Sequence, residues 1–370
     1  MELYNKTKYI ILLLAFCTSF IVLSQYIEVI NFKKFIYQKS KTAKVIKEIK
    51  NTQKELVSQA AVTLPHDSLT IELTKDGKRL IAFSAKTLYI IEPLSLKILH
   101  KIRITSIKEN KLSYLWAASS CAISPDQKYV LILNKYYDIY SGKVVTILDK
   151  NLFERPEVLD ISPLGNIGMI MDYSFHSEEL NSVLFFNLKS GKLINKRKVG
   201  EKFICSKFCS NESLLSIYND GNIVIEDLNG GNKKLFYPDI PTRYFSGYDT
   251  INFLTYNNTR FCILSSFNGF GVYNFDERKM LITGNSDSYF AVSKREPILI
   301  YDDISIPDDT GNCCGCIDYS WVIQNFITGE KRKVIGDIQR IEVTLSPDGK
   351  FAYYLSHEND GTMISRYHLP

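Results

Sequence analysis

A short turn phrase recurs at near-constant spacing from residue 74 to the C-terminus of this 370-residue chain, and that recurrence restricts it to a repeat architecture. The clearest copies are Thr74-Lys75-Asp76-Gly77, Ser124-Pro125-Asp126-Gln127, Ser162-Pro163-Leu164-Gly165 and Ser346-Pro347-Asp348-Gly349, each followed at once by an apolar run. Weaker copies stand at Ser210-Asn211-Glu212-Ser213, Thr255-Tyr256-Asn257-Asn258 and Ser293-Lys294-Arg295-Glu296. Seven copies over this stretch give a mean period of about 45 residues. The chemistry is that of chain reversal: Pro presets φ, Asp or Asn bonds nearby backbone, and Gly or Asn tolerates positive φ.

A second marker alternates with the first and closes the next hairpin. Its copies are Ser95-Leu96-Lys97, Ser141-Gly142-Lys143, Ser190-Gly191-Lys192, Gly230-Gly231-Asn232, Asp276-Glu277-Arg278 and Thr328-Gly329-Glu330. Two turn ladders of one period, flanked by short apolar runs, predict an all-β, seven-bladed β-propeller of four-stranded blades over residues 56–370. The competing architecture is an irregular two-sheet sandwich, which enforces no fixed repeat over so long a stretch.

The pattern resembles the WD-repeat and YVTN-type propeller families, in which each blade runs strand a, a Ser-Pro-Asp-Gly-like turn, strands b and c, an Asp or Asn, a Ser/Thr-Gly-Lys-like turn and strand d. Asp138, Asn187, Asp227, Asn274 and Asn325 stand where the WD-repeat family often has Asp; no Trp-Asp or Gly-His dipeptide occurs. The resemblance implies the fold and a habit of binding partners.

The chain ends predict how the ring closes. Arg340 to Leu345, Phe351 to Ser356 and Met363 to Leu369 supply three strands of the last repeat, and the chain then stops at Pro370. The apolar stretch Leu56 to Leu64 is the candidate for the missing outer strand, a clasp that leaves no open sheet edge between first and last blades.

Upstream, residues 1–8 form a short polar N-terminus, and Tyr9 to Ile27 is an uncharged run of 19 residues. As a helix it spans roughly 28 Å, which matches a bilayer's hydrocarbon core, so it is expected to be a transmembrane signal anchor. The alternatives are a cleaved signal peptide after Lys6 and Lys8, or a lipoprotein signal at Leu14-Ala15-Phe16-Cys17, where Phe16 is large for its position. Residues 28–55 are expected to form a basic amphipathic helical stalk, with Ala43, Ile46, Ile49, Gln53, Leu56 and Ala60 at helical spacing. Lys33, Lys34, Lys39, Lys41, Lys44 and Lys47 outnumber Lys6 and Lys8 across the span, which favours a cytoplasmic propeller; propellers of this layout are also exported.

Function is less constrained. A net charge of +5, with lysine concentrated in residues 33–54, gives no basic groove for nucleic acid. No Gly-x-Ser-x-Gly elbow, phosphate-cradling glycine loop or His-Glu-x-x-His occurs, so the expectation is a chain without catalysis or cofactor. Of the histidines, His176 and His357 are placed in b–c loops. Cys313, Cys314 and Cys316 lie in an insertion assigned to 302–318; three close thiols suit a soft metal, but a fourth ligand is not evident, and a disulfide-tied or reactive loop is the alternative. Cys121, Cys205, Cys209 and Cys262 are expected to be small buried strand residues.

Partner recognition is assigned to the face of d–a and b–c loops, with Tyr114, Trp116, Phe153, Arg155, His176, Arg243 and Tyr244 as anchors, because aromatic and Arg side chains dominate interface energetics. Packing between neighbouring blades is the alternative for about half of them. The resulting expectation is a membrane-anchored protein-interaction or scaffold module; the alternative is an exported enzyme, or a small-ligand or metal-binding propeller with a site near the central channel.

Overall fold

The apolar runs between the turns become strands arranged as seven sheets around a common axis. The computed structural model describes residues 54–55, 58–64, 70–84, 86–104, 120–153, 156–173, 181–200, 203–218, 222–237, 250–266, 269–284, 290–303, 320–335, 340–358 and 361–369. Two N-terminal strands are β1 (Lys54–Glu55) and β2 (Ser58–Leu64). Blade one follows with β3 (Thr70–Leu73), β4 (Leu80–Phe83), β5 (Thr87–Ile91) and β6 (Ile98–Arg103). Blade two is β7 (Cys121–Ile123), β8 (Tyr129–Ile132), β9 (Lys135–Asp138) and β10 (Val144–Ile147). Blade three is β11 (Pro156–Ile161), β12 (Ile167–Asp172), β13 (Ser182–Asn187) and β14 (Leu193–Lys198). Blade four is β15 (Phe203–Phe208), β16 (Ser213–Tyr218), β17 (Ile223–Asp227) and β18 (Lys234–Tyr237). Blade five is β19 (Thr250–Tyr256), β20 (Thr259–Ser266), β21 (Gly269–Asn274) and β22 (Lys279–Gly284). Blade six is β23 (Phe290–Val292), β24 (Ile298–Asp303), β25 (Ser320–Asn325) and β26 (Lys331–Ile335). Blade seven is β27 (Arg340–Leu345), β28 (Phe351–Glu358) and β29 (Gly361–His368), completed by β2.

Side-chain patterning explains the order within a blade. The b and c strands are covered on both faces and read as continuous apolar runs: every residue of β4 is buried, as is every residue of β21. Outer strands show one face to solvent, so β6 (ILHKIR) and β14 (LINKRK) mix apolar residues with Lys and Arg. Adjacent blades share seven apolar wedges, one at each interface. Phe83, Ile90, Ile132 and Tyr137 fill the wedge between blades one and two, and Phe186, Leu184, Leu131 and Val158 the next. Leu64, Tyr89, Leu355 and Ile364 join blades seven and one. Burying one such side chain stabilises by roughly 1.5–3 kcal/mol, so every interface is a substantial part of the fold's stability.

An N-terminal strand joins blade seven. β2 pairs antiparallel with β29, with Ala61 opposite Ser365 and Leu64 opposite Thr362, and becomes the outer strand of blade seven. One feature differs from the expected helical stalk. Lys54–Glu55 is extended and adds in parallel to β26 opposite Val334 and Ile335, while Ala60, expected on the helical stripe, lies in β2. Backbone pairing with a sheet edge overrides the 3.6-residue periodicity there. Residues 1–53, which contain the Tyr9 to Ile27 run, lie outside the described residues, and no helix among the described residues is long and apolar enough to cross a membrane.

Two further boundaries move. Asp302 and Asp303, assigned to the insertion, pair with Trp321 and Ser320 inside the sheet, and His357, placed in a loop, pairs with Thr362 in the β28–β29 hairpin.

Candidate functional site

In an antiparallel four-stranded blade the a–b and c–d connections lie at one end and the b–c and d–a connections at the other, so the ring has two faces of different construction. The first is built from the two turn ladders. In the a–b turns, Asp76, Asp126 and Asp348 each accept a hydroxyl and a backbone N–H: Thr74 Oγ1 at 2.7 Å with Lys78 N at 3.0 Å, Ser124 Oγ at 2.6 Å with Lys128 N at 3.1 Å, and Ser346 Oγ at 2.6 Å with Lys350 N at 3.1 Å. In the c–d turns one side-chain oxygen caps two backbone N–H groups. Asp138 Oδ1 accepts from Tyr140 and Ser141, Asn187 Oδ1 from Lys189 and Ser190, and Asn325 Oδ1 from Ile327 and Thr328. Asp227 and Asn274 do the same, so all five residues at the WD-like position are turn caps. The bonds to Ser141 and Tyr140 hold the Asp138 carboxyl below its ordinary range.

Turns of neighbouring blades are also tied together. Lys75 N–H donates to Gln127 Oε1 at 2.5 Å, Leu164 N–H to Asn211 Oδ1 at 2.9 Å, and Ser293 Oγ to Pro347 O at 2.7 Å. His100 Nε2 lies 2.8 Å from Tyr140 O, and Asn195 Nδ2 bonds Asn229 Oδ1 at 2.9 Å.

The opposite face has connections of unequal length, from two residues at 133–134 to the long 104–120, 173–181, 238–249 and 304–319. Of the seven expected anchors, the described residues contain one. Phe153 is 4% exposed, packs in the wedge between blades two and three, and its ring lies 5.2 Å from that of Phe186. It is a core residue, which corrects its assignment as an exposed anchor. Tyr114, Trp116, Arg155, His176, Arg243 and Tyr244 lie outside the described residues, as do Cys313, Cys314 and Cys316. Among the described residues no group of three or more His, Cys, Asp or Glu is placed to hold a metal ion.

The inner strands and the a–b turn of blade six bring together a constellation that sequence reasoning missed. Lys207 of blade four pairs with Asp160 of blade three at 3.9 Å and bonds Leu159 O, while Asp160 Oδ2 accepts Phe208 N–H at 2.8 Å. Lys294 of blade six reaches Glu72 and Leu73 O of blade one, across blade seven. Glu342 of blade seven accepts Ile71 N–H of blade one at 2.9 Å. Burial pushes the Asp160 carboxyl up, and pushes Glu342 well above the usual range, with the nearby Glu72 charge adding to the second. Burial, with the Glu72 and Glu342 charges adding to it, pushes the Cys121 thiol up, the opposite of an activated nucleophile. The signal was present as single charges inside apolar runs, but their convergence depends on which side of each strand faces the axis.

A second ionic cluster braces blades three and four. Glu226, whose side chain is fully buried, meets Arg197 Nη2 at 2.9 Å, Ser216 Oγ at 2.5 Å and Lys233 Nζ at 3.5 Å. A buried carboxylate persists only with such company. In both clusters the charges join one blade to another.

No family model and no curated protein matches the chain. Solved structures do. It is similar to the Cps50 (Swd1) β-propeller domain of Myceliophteria thermophila, with a TM-score of 0.60 at 12% identity, over 85% of this chain and 100% of that one. A chain of the mitotic checkpoint complex gives a TM-score of 0.59 at 11% identity, over 88% and 99%, and the RRP9 WD40 repeats give 0.56 at 12%, over 85% and 100%. The chain therefore has the seven-bladed fold of WD-repeat β-propellers.

Proposed function

We propose that this chain is a non-catalytic interaction module: a propeller that offers its b–c and d–a face to a protein partner and is held at a membrane by Tyr9 to Ile27. The observation that carries the reading is the contrast between the faces. One is uniform, capped and knitted from blade to blade, so it is committed to holding the ring together. The other carries connections of very unequal length, from two residues at 133–134 to the long 104–120 and 304–319, and long connections on a rigid scaffold are where recognition resides. Propellers of this architecture carry many functions, so the fold supports the reading only by analogy.

The Cys121 thiol, pushed up by burial, and the paired Lys207 and Lys294 favour a brace over a reaction centre. Membrane attachment rests on the uncharged 19-residue run, and a cytoplasmic propeller on the excess of lysines after it.

The test is a crosslinked partner from intact cells, followed by alanine at Tyr114, Trp116, Arg243 and Tyr244. Two or three of these should abolish the crosslink while the melting temperature holds. Binding that survives all four, or is lost only together with stability, rejects the loop face. Protease accessibility of the C-terminus in sealed cells tests the sidedness separately.

A further inference from the structure

The outer strand of each blade is a sheet edge, and an edge offers unpaired backbone groups to any strand that charge or cover does not keep away. β6, β14, β18, β22 and β26 each contain Lys or Arg, and β26 also carries β1. β2 is uncharged but turns Ser58, Gln59, Ala61 and Thr63 to solvent. β10 has none of these protections. Its sequence, Val144-Val145-Thr146-Ile147, carries no charge, and Val144, Val145 and Ile147 are 42%, 52% and 62% exposed. A shift of pairing register, which twists an edge, occurs on β6, β14, β18 and β22 as well, so β10 is set apart by its side chains.

The backbone of β10 is open along that edge. Leu148 N–H donates inward to Asn134 O at 2.8 Å, and backbone groups alternate in direction along a strand, so Ile147 N–H points outward. Nothing among the described residues accepts from it. Thr146 faces blade three and is buried: Gly191 lies against its methyl and against Ile147 O, close enough that a Cβ there would come within 2.8 Å of that oxygen. Val145 and Ile147 share the other, solvent-facing side.

Charge stands at the two ends of the strand. Lys143 and Asp149 lie three residues either side of Thr146, both are exposed, and neither has an ion-pair partner among the described residues. Asp149 Oδ1 caps Asn151 N–H at 3.0 Å, which leaves Oδ2. A second β10, laid antiparallel about a two-fold axis through Thr146, sets Lys143 opposite Asp149 at both ends and Val145 opposite Ile147 twice. Ile147 N–H of each copy then meets Val145 O of the other. A strand of unrelated sequence would form backbone bonds with this edge, but only one with an acid and a base at the same spacing would match both charges, and β10 itself has them.

We infer that β10 pairs with β10 of a second copy of this chain, antiparallel about Thr146, to make a two-fold dimer at the rim of the propeller. The contact is short, so the dimer is weak and is favoured when copies are held close together. It uses the rim, and so it is independent of the assignment of partner recognition to the b–c and d–a face.

The experiment mixes the full chain carrying Val145→Cys with the full chain carrying Ile147→Cys in mild detergent under gentle oxidation, and crosslinked peptides are read by mass spectrometry. Directly opposed residues bring their Cα atoms to about 5.5 Å, within reach of a disulfide, whereas like positions are offset along the two strands. The mixed crosslink should therefore exceed either self-crosslink about tenfold. Adding Lys143→Asp to both chains should lower it about fivefold at low salt, and adding Asp149→Lys as well should restore it. Sedimentation of the otherwise unchanged chain should show a concentration-dependent dimer, which Val145→Lys with Ile147→Lys should convert to monomer at the same melting temperature. Equal mixed and self-crosslinks overturn the pairing, and so does indifference to the charge reversal. A monomer at every concentration also overturns it. A dimer that persists through Val145→Lys and Ile147→Lys overturns it too, and places self-association elsewhere on the chain.

Discussion

Individual residues show where a side chain is worth a strained backbone. Gln127 and Leu96 stand where neighbouring copies of their turns carry glycine, with φ of 63° and 54°. A left-handed L-residue costs about 1–2 kcal/mol. Gln127 recovers it by donating to Ser124 O at 2.9 Å and accepting Lys75 N–H from the next blade, and Leu96 by being 2% exposed in the wedge between blades seven and one. Gln127→Gly, which relieves the strain and loses those bonds, should therefore stay within about 1 kcal/mol of wild type in urea unfolding, whereas Leu96→Gly should cost about 2–4 kcal/mol through the lost core contact. Glu342 supplies a pH prediction. Its folded carboxyl is held well above 4.5, so below that value folded and unfolded chains both carry the proton and burial costs nothing. As pH rises, the unfolded chain ionises first and the fold loses stability until the folded carboxyl ionises too. Glu342→Gln keeps an acceptor for Ile71 N–H without titrating, so its melting temperature relative to wild type should rise as pH climbs past 4.5 and level off once the folded carboxyl ionises. A difference that is flat with pH would show that folding leaves the Glu342 carboxyl at its unfolded value.

Elements were the most legible level of the sequence, because turn chemistry is local. Asn257 and Asn258, with φ of 48° and 63°, make the two-residue hairpin that a pair of residues tolerant of positive φ allows, and all six second-ladder turns close c–d hairpins. The outer clasp was legible for another reason: counting strands left blade seven one short and Leu56 to Leu64 unused. Amphipathic spacing failed at Lys54–Glu55, where a free edge on β26 decided the conformation. The orientation of aromatics at strand ends also failed. Phe153 follows the single turn of 3₁₀ helix at Lys150–Leu152, and nothing local says whether it points into a wedge or out. Removal of residues 1–66 tests the clasp. Against a chain lacking only residues 1–44, it should melt lower and aggregate on warming, because β29 would present an unpaired edge and the seven–one wedge would lose Leu64. Equal melting temperatures would mean that β2 adds nothing to closure.

At the scale of the whole molecule, stability and recognition are assigned to different parts of the ring. Seven shared wedges hold the blades, and the inner-strand and Glu226 clusters tie blade three to four, six to one and seven to one. The b–c connections of the opposite face begin and end on strands that are already paired on both sides, such as β24 and β25, whose register runs unbroken from Ile298–Asn325 to Asp303–Ser320. That hairpin is complete before the Cys313 to Cys316 segment starts. The ring should then be indifferent to those thiols and sensitive to a wedge residue of similar sequence position between blades. Replacing Cys313, Cys314 and Cys316 together by Ser should leave the melting temperature within a degree or two, while Phe153→Ala should cost about 3–5 kcal/mol through the cavity it opens beside Phe186. Thermal unfolding of both variants, with metal content measured on the purified wild type, checks the pair. Stoichiometric metal that disappears with the three serines, together with a large fall in stability, would instead make the loop a structural metal site and move part of the ring's stability onto the face proposed for recognition.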